Sequence, residues 1–289
     1  MNGQHTLSAP SWQAILSQTE TALACGALRS FETRQSAIED GGMRFILQNA
    51  VNLARKEQAS KLAEKAKADN TAARRDPFSP CEAALRVGDI GERHFLLLNK
   101  FNVLAHHLLI VTSQFESQDA WLNEYDFAAL FACFDQFDGL GFYNGGTVAG
   151  SSQPHKHLQI VPLPLDDHSL PIEPLIEAAR SDDGIFSVPQ LPFAHAAAWL
   201  DHQDAHDVYR ALLLAIGIEE ASPYNLLVTR RWMMAVPRAI SHVEGVAVNA
   251  LGFAGSLFVR DDAQRAVVES LGPMKLLARA CGRAAHNTP

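Results

Sequence analysis

Hydrophobic positions follow two different periods along the chain, and the changes between them predict an alternation of helices and strands. Apolar residues at helical spacing predict a helix over 12–27, with Ser11 as its N-cap, and a second helix over 126–137. Short apolar runs predict strands over 44–52, 85–89, 94–99, 107–112, 140–143 and 155–160. This order of elements is typical of an antiparallel sheet with a helix packed on it, an α+β fold.

The second half of the chain repeats a similar order. The pattern predicts a helix over 204–218, a hairpin over 224–236 with its turn at 229–231, and closing helices over 261–271 and 274–281. Both halves contain strands, a helix and then a glycine-containing strand. This shared order suggests a duplicated fold.

Three further stretches are rich in turn-forming or small residues, and one of them is interpreted as the boundary between the halves. Residues 184–193 form either a short strand or a loop, and the small residues 252–256 predict a loop before an apolar strand. The proline-rich residues 162–174 are interpreted as the link between the halves. We therefore expect an N-terminal domain of residues 1–165 and a C-terminal domain of residues 166–289.

Two polar stretches of the first half are candidates for contacts with a ligand. Residues 54–75 are rich in Ala, Lys and Glu, and they form either a solvated helix or a mobile loop. Lys56, nearest to the preceding strand, is the candidate phosphate contact in that segment. The turn 99–102, which contains Lys100, lies between two apolar strands. It is either a simple hairpin turn or a ligand contact.

The candidate chemistry is concentrated in residues 142–164, which read FYNGGTVAGSSQPHKHLQIVPLP. In a strand, side chains alternate between the two faces. One face then carries His155, His157 and Gln159, and the other carries Lys156, Leu158 and Ile160. The two aliphatic side chains can anchor their face to a core, which leaves two imidazoles and an amide in a row on the opposite face.

A loop rich in glycine and serine precedes this strand. Glycines let the backbone come close to a ligand, and successive N–H groups form a nest for anionic oxygens. A neutral imidazole beside such a nest is a candidate nucleophile on phosphorus. The alternatives are a structural histidine or half of a metal site. The metal interpretation lacks a cysteine or a carboxylate close to the two histidines in the sequence.

Composition narrows the classes of function. The chain has 289 residues and a formal net charge of −8, which argues against nonspecific nucleic-acid binding but allows a local cluster of cations for a small polyphosphate. Its 4 cysteines form no C-x-x-C motif. The start of the sequence lacks a signal-like segment, and no apolar run approaches the ~18–20 residues of a membrane span. We expect a cytoplasmic protein that is a monomer or small homo-oligomer and has no nucleic-acid or membrane partner.

Six segments, in this order along the chain, resemble those of a known family: DPFSP, LLNKFNVLAHHLLIVT, FDGLGFYNGG, AGSSQPHKHLQIVPLP, YNLLVTRRWM and NALGFAGSLFVR. The sequence resembles the diadenosine tetraphosphate (Ap4A) phosphorylases, or ATP adenylyltransferases. They are a branch of the histidine-triad (HIT) and galactose-1-phosphate uridylyltransferase superfamily. The likeness covers nearly the whole chain. It implies two HIT-like halves, of which the first is catalytic and the second completes the nucleotide site.

The resemblance also implies an activity and its residues. Ap4A would be cleaved by phosphate to ADP and ATP through a covalent adenylyl-histidine, with His157 as the nucleophile and Gln159 holding the transferred phosphoryl group. The implied substrate contacts are Lys56, Asn99, Lys100, Asn144, Gly150, Ser151, Ser152, Gln153, Asn249, Gly252 and Arg260. No protein metal ligands are implied, and Mg²⁺ is expected to arrive with the polyphosphate.

Two other functions would use the same residues. A related nucleotidyltransferase with sulfate or a sugar phosphate as acceptor would keep His157 as the nucleophile. A non-catalytic nucleotide-binding regulator would use that histidine as a ligand contact only. Gln159 cannot act as a general acid, so it favours leaving groups that need no proton, such as ADP and ATP.

Overall fold

The structure is a computed structural model that describes residues 7–30, 33–49, 76–165, 170–181, 184–201 and 203–282. Its strands are β1 (Arg34–Asp40), β2 (Met43–Asn49), β3 (Arg86–Ile90), β4 (His94–Leu98), β5 (Leu108–Thr112), β6 (Gly139–Gly145), β7 (His157–Pro162), β8 (Ile185–Phe186), β9 (Ala196–Trp199), β10 (Tyr224–Val228), β11 (Trp232–Pro237), β12 (His242–Val243), β13 (Val246–Ala247) and β14 (Ser256–Val259). Its α-helices are α1 (Trp12–Ala24), α2 (Glu124–Phe134), α3 (Glu173–Ala178), α4 (Ala205–Ala215), α5 (Ala250–Phe253), α6 (Asp262–Leu271) and α7 (Pro273–Cys281).

A nine-stranded antiparallel sheet runs through both halves of the chain, in the order β3-β4-β5-β7-β6-β10-β11-β9-β8. Helices α1, α2 and α4 contribute to the apolar core on one face of this sheet. The other face packs against helices α3 and α5 to α7 and against a small sheet in the order β1-β2-β14. The predicted α+β class and the antiparallel sheet with packed helices are confirmed.

Polar side chains at the helix starts explain why the helices begin where they do. Ser11 caps α1, as predicted, by accepting a hydrogen bond from the backbone N–H of Ala14. Asn123 and Asp126 form a reciprocal capping box, so α2 begins two residues earlier than predicted. Asp204 caps α4 through the N–H groups of His206 and Asp207.

Several elements differ from the sequence prediction. Strands β1 and β9 were not predicted, because β1 is mostly polar and β9 begins with three alanines, which have low strand propensity. The predicted loop 252–256 begins inside α5, and the open stretch 184–193 contains the two-residue strand β8. The segment 54–75 lies outside the described residues. The division into 1–165 and 166–289 stays a prediction.

The predicted duplication is visible in the connectivity. Elements β5-α2-β6-β7 and β9-α4-β10-β11 follow in the same order, and their strands lie in mirrored positions about the β6–β10 pair. Helices α2 and α4 are each 11 residues long. The stretch from Glu124 to Asn144 is 21 residues long, as is that from Ala205 to Asn225, and a Tyr-Asn pair ends both stretches.

The two copies differ most in one connection. Residues 146–156 join β6 to β7, whereas only residues 229–231 join β10 to β11. The long connection contains the predicted glycine-rich loop. On the face of β11 that packs into the same core as Val161 of β7, the side chains are Trp232, Met234 and Val236, all of them apolar. The second copy therefore has the sheet without the histidine and without the loop.

A buried ionic cluster ties β7 to α2. Lys156 is 1% exposed, and its ammonium lies 3.0 Å from Asp126 and 2.7 Å from Glu116. The other carboxylate oxygen of Asp126 lies 2.8 Å from the ring of His94 in β4. Burial by itself would raise the pKa of Asp126, but the hydrogen bond with His94 and the charge of Lys156 outweigh it and lower the pKa. The strand that carries His157 is thus fixed from its rear face.

We expect Asp126→Ala to lower the free energy of unfolding by about 3–5 kcal/mol, because it leaves a buried ammonium with one half-exposed partner. Urea unfolding measures this loss. Asp135→Ala, at the exposed end of the same helix, is the control and should change it by less than about 1 kcal/mol.

Wild type and Asp126→Ala also test the direction of the pKa shift of Asp126. A lowered folded-state pKa stabilises the ionised form, so the stabilisation by Asp126 is present above the ordinary value of 3.8 and is lost as the pH falls below it. The difference between wild type and Asp126→Ala should therefore shrink in acid. A difference that grows below that pH would contradict the assignment.

Candidate active site

A cavity of about 940 Å³ opens on the face of the sheet that carries His157. This volume is at the upper end of the range usual for small-molecule sites. Predicted site residues that line it are Asn99, Lys100, Asn144, Gly150, Ser151, Ser152, Gln153, His157, Gln159, Asn249 and Arg260. Gly252 does not line it, because it faces Leu257 and Leu277 from within α5. Lys56 lies outside the described residues.

The ring of His157 is held by one nitrogen and leaves the other for the cavity. Its Nδ1 lies 2.8 Å from the carbonyl oxygen of His155, and a carbonyl only accepts, so Nδ1 carries the proton. Nε2 then has a free lone pair. Burial lowers the pKa of His157 to about 4, against the opposing effect of the hydrogen bond to His155. A neutral imidazole with an available Nε2 is a nucleophile at pH 7.

Gln118 fixes the backbone from which this ring projects. Its Oε1 accepts from the N–H of His157 at 2.8 Å, and its Nε2 donates to the carbonyl of Asn144 at 2.9 Å. The buried amide thus links the ends of β6 and β7, where the long connection leaves the sheet. The sequence prediction missed Gln118, since it lies in an irregular segment with no motif around it.

The ring of His155 is held by hydrogen bonds to the surrounding protein. Its Nδ1 lies 2.6 Å from a carboxylate oxygen of Asp76, and its Nε2 lies 2.8 Å from the carbonyl oxygen of Thr112. Both ring nitrogens are therefore used by the protein. Phe78 packs near both histidines, with ring centroids 5.6 Å from His155 and 5.3 Å from His157. The segment DPFSP thus forms a wall of the site.

A chain of hydrogen bonds orients Gln159. The N–H of Phe101 donates to Oδ1 of Asn99, so Nδ2 of Asn99 donates to Nδ1 of His107 at 3.2 Å. Nε2 of His107 then carries the proton and donates to Oε1 of Gln159 at 2.9 Å. The amide nitrogen of Gln159 is left to donate into the cavity. His107 was not predicted as a site residue, although a histidine at the start of an apolar strand is a usable signal.

The glycine-rich loop offers fewer free N–H groups than predicted. The amides of Ala149, Gly150 and Ser151 close turns within the loop by donating to the carbonyls of Gly146 and Thr147. Within the part of the chain that the structure describes, the amides of Ser152 and Gln153 have no such partner. Gly150 is needed for its conformation, with φ +101°, and for its contact with Asn249, where a Cβ would lie 2.8 Å away.

Charged groups lie at the rim of the cavity. Lys100 makes an ion pair of 2.6 Å with Glu82, and both side chains are partly exposed. Arg260 lines the cavity from the second half. Among the described lining residues, Glu82 is the single carboxylate, and Lys100 neutralises it. The cavity therefore favours anionic ligands.

The described residues contain one cluster of possible metal ligands, formed by Asp204, His206 and Asp207. It lies at the start of α4, on the opposite face of the sheet from the cavity, and Asp204 is already used as a helix cap. His157 and Gln159 belong to no such cluster. In the described part of the chain, no helix is long and apolar enough to cross a membrane.

Two family models together span most of the chain. The Ap4A phosphorylase N-terminal domain matches residues 2–178, and the ATP adenylyltransferase C-terminal domain matches residues 189–283. The chain belongs to the Ap4A phosphorylase family. This family consists of nucleotidyltransferases, and the resemblance found in the sequence is confirmed.

Two yeast proteins resemble the chain in sequence. Diadenosine 5',5'''-P1,P4-tetraphosphate phosphorylase 2 of Saccharomyces cerevisiae is 32% identical in an alignment 230 positions long, which covers 64% of this chain and 69% of the yeast protein. Protein APA1 of the same yeast is 28% identical in an alignment 276 positions long, which covers 79% of this chain and 84% of that protein.

A solved structure shows the same fold. The crystal structure of yeast Ap4A phosphorylase Apa2 in complex with Ap4A superposes with a TM-score of 0.80 at 24% identity, covering 96% of this chain and 99% of that chain. The complex of Apa2 with AMP gives a TM-score of 0.80 at 23% identity, covering 98% and 99%. This chain therefore has the fold of Apa2 over nearly its whole length.

The hydrogen bonds of the cavity predict opposite tautomers for its two histidines. At pH 7 we expect neutral His157 with the proton on Nδ1 and neutral His107 with the proton on Nε2. Burial lowers the pKa of each to about 4. Two-dimensional ¹⁵N–¹H spectra of the imidazole rings distinguish these forms.

The same spectra, recorded as the pH is lowered, test the burial of the site. Both rings should become charged only as the pH approaches about 4. His107→Asn, assigned alongside, identifies which signals belong to which ring. A His157 ring that titrates near the ordinary value of 6.5, or that is protonated on Nε2, would contradict this geometry.

Proposed function

We propose that the protein catalyses the phosphorolysis of Ap4A to ADP and ATP through a covalent adenylyl-histidine at His157. Membership of the Ap4A phosphorylase family supports the reaction class. The observation that carries the residue assignment is the ring of His157, which is fixed by the carbonyl of His155 and has its other nitrogen available to the cavity. The substrate class comes from the yeast relative, which is named for Ap4A.

The proposed reaction has two steps that balance without any further reactant. Nε2 of His157 attacks the α-phosphorus of one adenosine, a P–N bond forms, and the bond to the bridging oxygen breaks to release ATP. Inorganic phosphate then attacks the same phosphorus, which breaks the P–N bond and releases ADP. The proton stays on Nδ1 and donates a hydrogen bond to the carbonyl of His155, which stabilises the positive charge that the imidazole ring carries in the intermediate.

Gln159 suits this chemistry because it is neutral and already oriented. His107 occupies its oxygen, so its N–H₂ group can donate to a phosphoryl oxygen as charge develops there. An amide has no proton to give to a leaving group. ATP leaves as a weak base and needs none. The amide of Gln159 therefore suits a polyphosphate leaving group better than one whose conjugate acid has a higher pKa.

The other predicted residues that line the cavity would bind the polyphosphate and the nucleosides. Ser152 and Gln153 offer free backbone amides, while Asn99, Asn144 and Asn249 offer side-chain amides. Lys100 and Arg260 supply positive charge at the rim, and Lys100 would exchange Glu82 for a phosphate. Mg²⁺ would enter bound to the substrate, since the lining residues that the structure describes offer no free carboxylate to hold it.

Two alternatives stay open. Sulfate or a sugar phosphate could replace phosphate as the acceptor in a reaction with the same His157 intermediate. A regulator without turnover would bind nucleotide in this cavity without forming any covalent bond. Incubation with ATP and each acceptor separates the transferases, and the covalent intermediate excludes the regulator.

We expect His157→Ala to abolish phosphorolysis and the labelled adenylyl-protein that forms from radiolabelled substrate in the absence of phosphate. His195→Ala is a matched control. The Nδ1 of His195 also bonds a carbonyl two residues earlier, at 2.8 Å, but its Nε2 accepts from the N–H of Val188. The control should still form the labelled protein. Near-normal turnover by His157→Ala would refute the assignment.

Gln159→Ala should reduce kcat by about 10²-fold, the usual effect of removing one donor that acts in the transition state. Gln159→Glu tests the orientation as well, because a carboxylate can still accept from His107 but cannot donate. It should be no more active than Gln159→Ala. A rate unchanged from wild type in both variants would mean that the amide is structural.

The product set decides between phosphorolysis and hydrolysis. With Ap4A and phosphate, we expect ADP and ATP in equal amounts, and ¹⁸O-labelled phosphate should appear in the β position of the ADP. AMP with ATP, or two ADP, would mean that water is the acceptor. Separation of the nucleotides by ion-exchange chromatography gives the answer.

A further inference from the structure

Two buried asparagines face each other where the two copies of the fold meet. Asn144, in β6, and Asn225, in β10, are direct partners in the antiparallel pairing of these strands. Nδ2 of Asn225 donates to Oδ1 of Asn144 at 2.8 Å and to the carbonyl of Ala149 at 2.9 Å. Asn225 is fully buried and does not line the cavity. It therefore contacts the glycine-rich loop from behind.

The orientation of the Asn144 amide follows from its partners. The backbone N–H of Ala250 donates to Oδ1 of Asn144 at 3.0 Å, and a backbone N–H can only donate. The atom that accepts from both Ala250 and Asn225 is therefore the oxygen. Nδ2 of Asn144 has no partner among the described residues, and Asn144 lines the cavity. Its N–H₂ group is thus available to an anionic ligand.

Arg238 supports this arrangement from directly after β11. Its Nη1 donates to Oδ1 of Asn225 at 2.6 Å and contacts the carbonyl of Ala149 at 3.3 Å, while its Nη2 donates to the carbonyl of Ile240 at 2.7 Å. These acceptors are all neutral, and no ion pair to Arg238 occurs in the described ranges. Burial lowers its pKa to about 10, so it is still a cation at pH 7.

Burial of the Arg238 cation without a carboxylate partner, and with its Nε unpaired, lowers the free energy of unfolding. Arg238 holds the carbonyl of Ala149, one residue before Gly150, and adds positive charge behind the loop. Such a charge in a low-dielectric interior favours an anion in the cavity. This cost to the free protein supports a role for Arg238 when the cavity holds an anion.

We propose that Asn225 and Arg238, both supplied by the second copy of the fold, are positioning residues that hold the glycine-rich loop and the Asn144 amide toward the bound polyphosphate. Neither residue touches the substrate. They act through Asn144 and through the carbonyl of Ala149. This proposal rests on the proposed function for its substrate class, while the hydrogen bonds that support it are independent of the reaction.

The test compares Asn225→Ala, Arg238→Met and Arg238→Lys with a control that is equally buried. We expect Asn225→Ala and Arg238→Met to lower kcat/KM for Ap4A by about 10–100-fold, the effect of a misplaced binding group. Arg238→Lys keeps the charge and one donor, so it should recover at least tenfold over Arg238→Met. Tyr209→Phe removes a buried hydrogen bond of 2.6 Å to Tyr224 on the opposite face of β10 and should stay within about twofold of wild type.

Equilibrium binding of ADP to the same proteins, measured by calorimetry, gives a second readout that does not need turnover. Binding should weaken by at least tenfold in Asn225→Ala and Arg238→Met and should be unchanged in Tyr209→Phe. Urea unfolding measures the free energy of unfolding of all four variants, so that activity and affinity are compared between variants of similar stability.

Each outcome decides between explanations. If Asn225→Ala and Tyr209→Phe lose activity and ADP affinity equally at matched stability, or if Arg238→Lys recovers nothing over Arg238→Met, the positioning role is overturned. If wild type binds ADP but shows no phosphorolysis, the proposed function fails, and ADP binding by the variants still decides on positioning. If ADP affinity falls as expected in Asn225→Ala and Arg238→Met and is unchanged in Tyr209→Phe, the positioning role stands.

Discussion

The pairing of β6 with β10 is the constraint on which the rest of the molecule depends. It joins two copies of one fold into a single sheet, and it places the end of β6, with its long connection, beside the second copy. The glycine-rich loop that follows β6 therefore contacts the second copy directly, through the hydrogen bond from Asn225 to the carbonyl of Ala149. Asn144 and Asn225 lie at this junction, so the geometry of the loop and the joining of the halves share the same hydrogen bonds.

The start of β7 is fixed from two sides. Lys156, directly before the strand, is directed into a buried ionic cluster with Asp126, and His157, the first residue of β7, faces the cavity. Because neighbours in a strand point in opposite directions, fixing the one side chain also fixes the direction of the other. The carbonyl of His155 then sets the ring of His157. The reactive group is thus held by the backbone and by the core, and it depends little on exposed side chains.

Much of this was predictable from the sequence, and the exceptions have physical causes. Strand alternation placed His157 and Gln159 on one face correctly, because a period of two is a local property. The free amides of the loop were misjudged, because Gly150 and Ser151 use their N–H groups in turns that composition does not specify. Gln118, His107 and Arg238 were missed, because each acts through contacts between residues far apart in the chain.

The unequal connections between paired strands, residues 146–156 in one copy and 229–231 in the other, have a consequence for how such a protein can evolve. In a symmetric dimer of identical subunits, a single gene encodes both copies, so a change that shortens one connection shortens both. Fusion into one chain removes that restriction. One copy can then lose its own reactive centre and support that of the other. Each chain then has one reactive centre for its two copies of the fold.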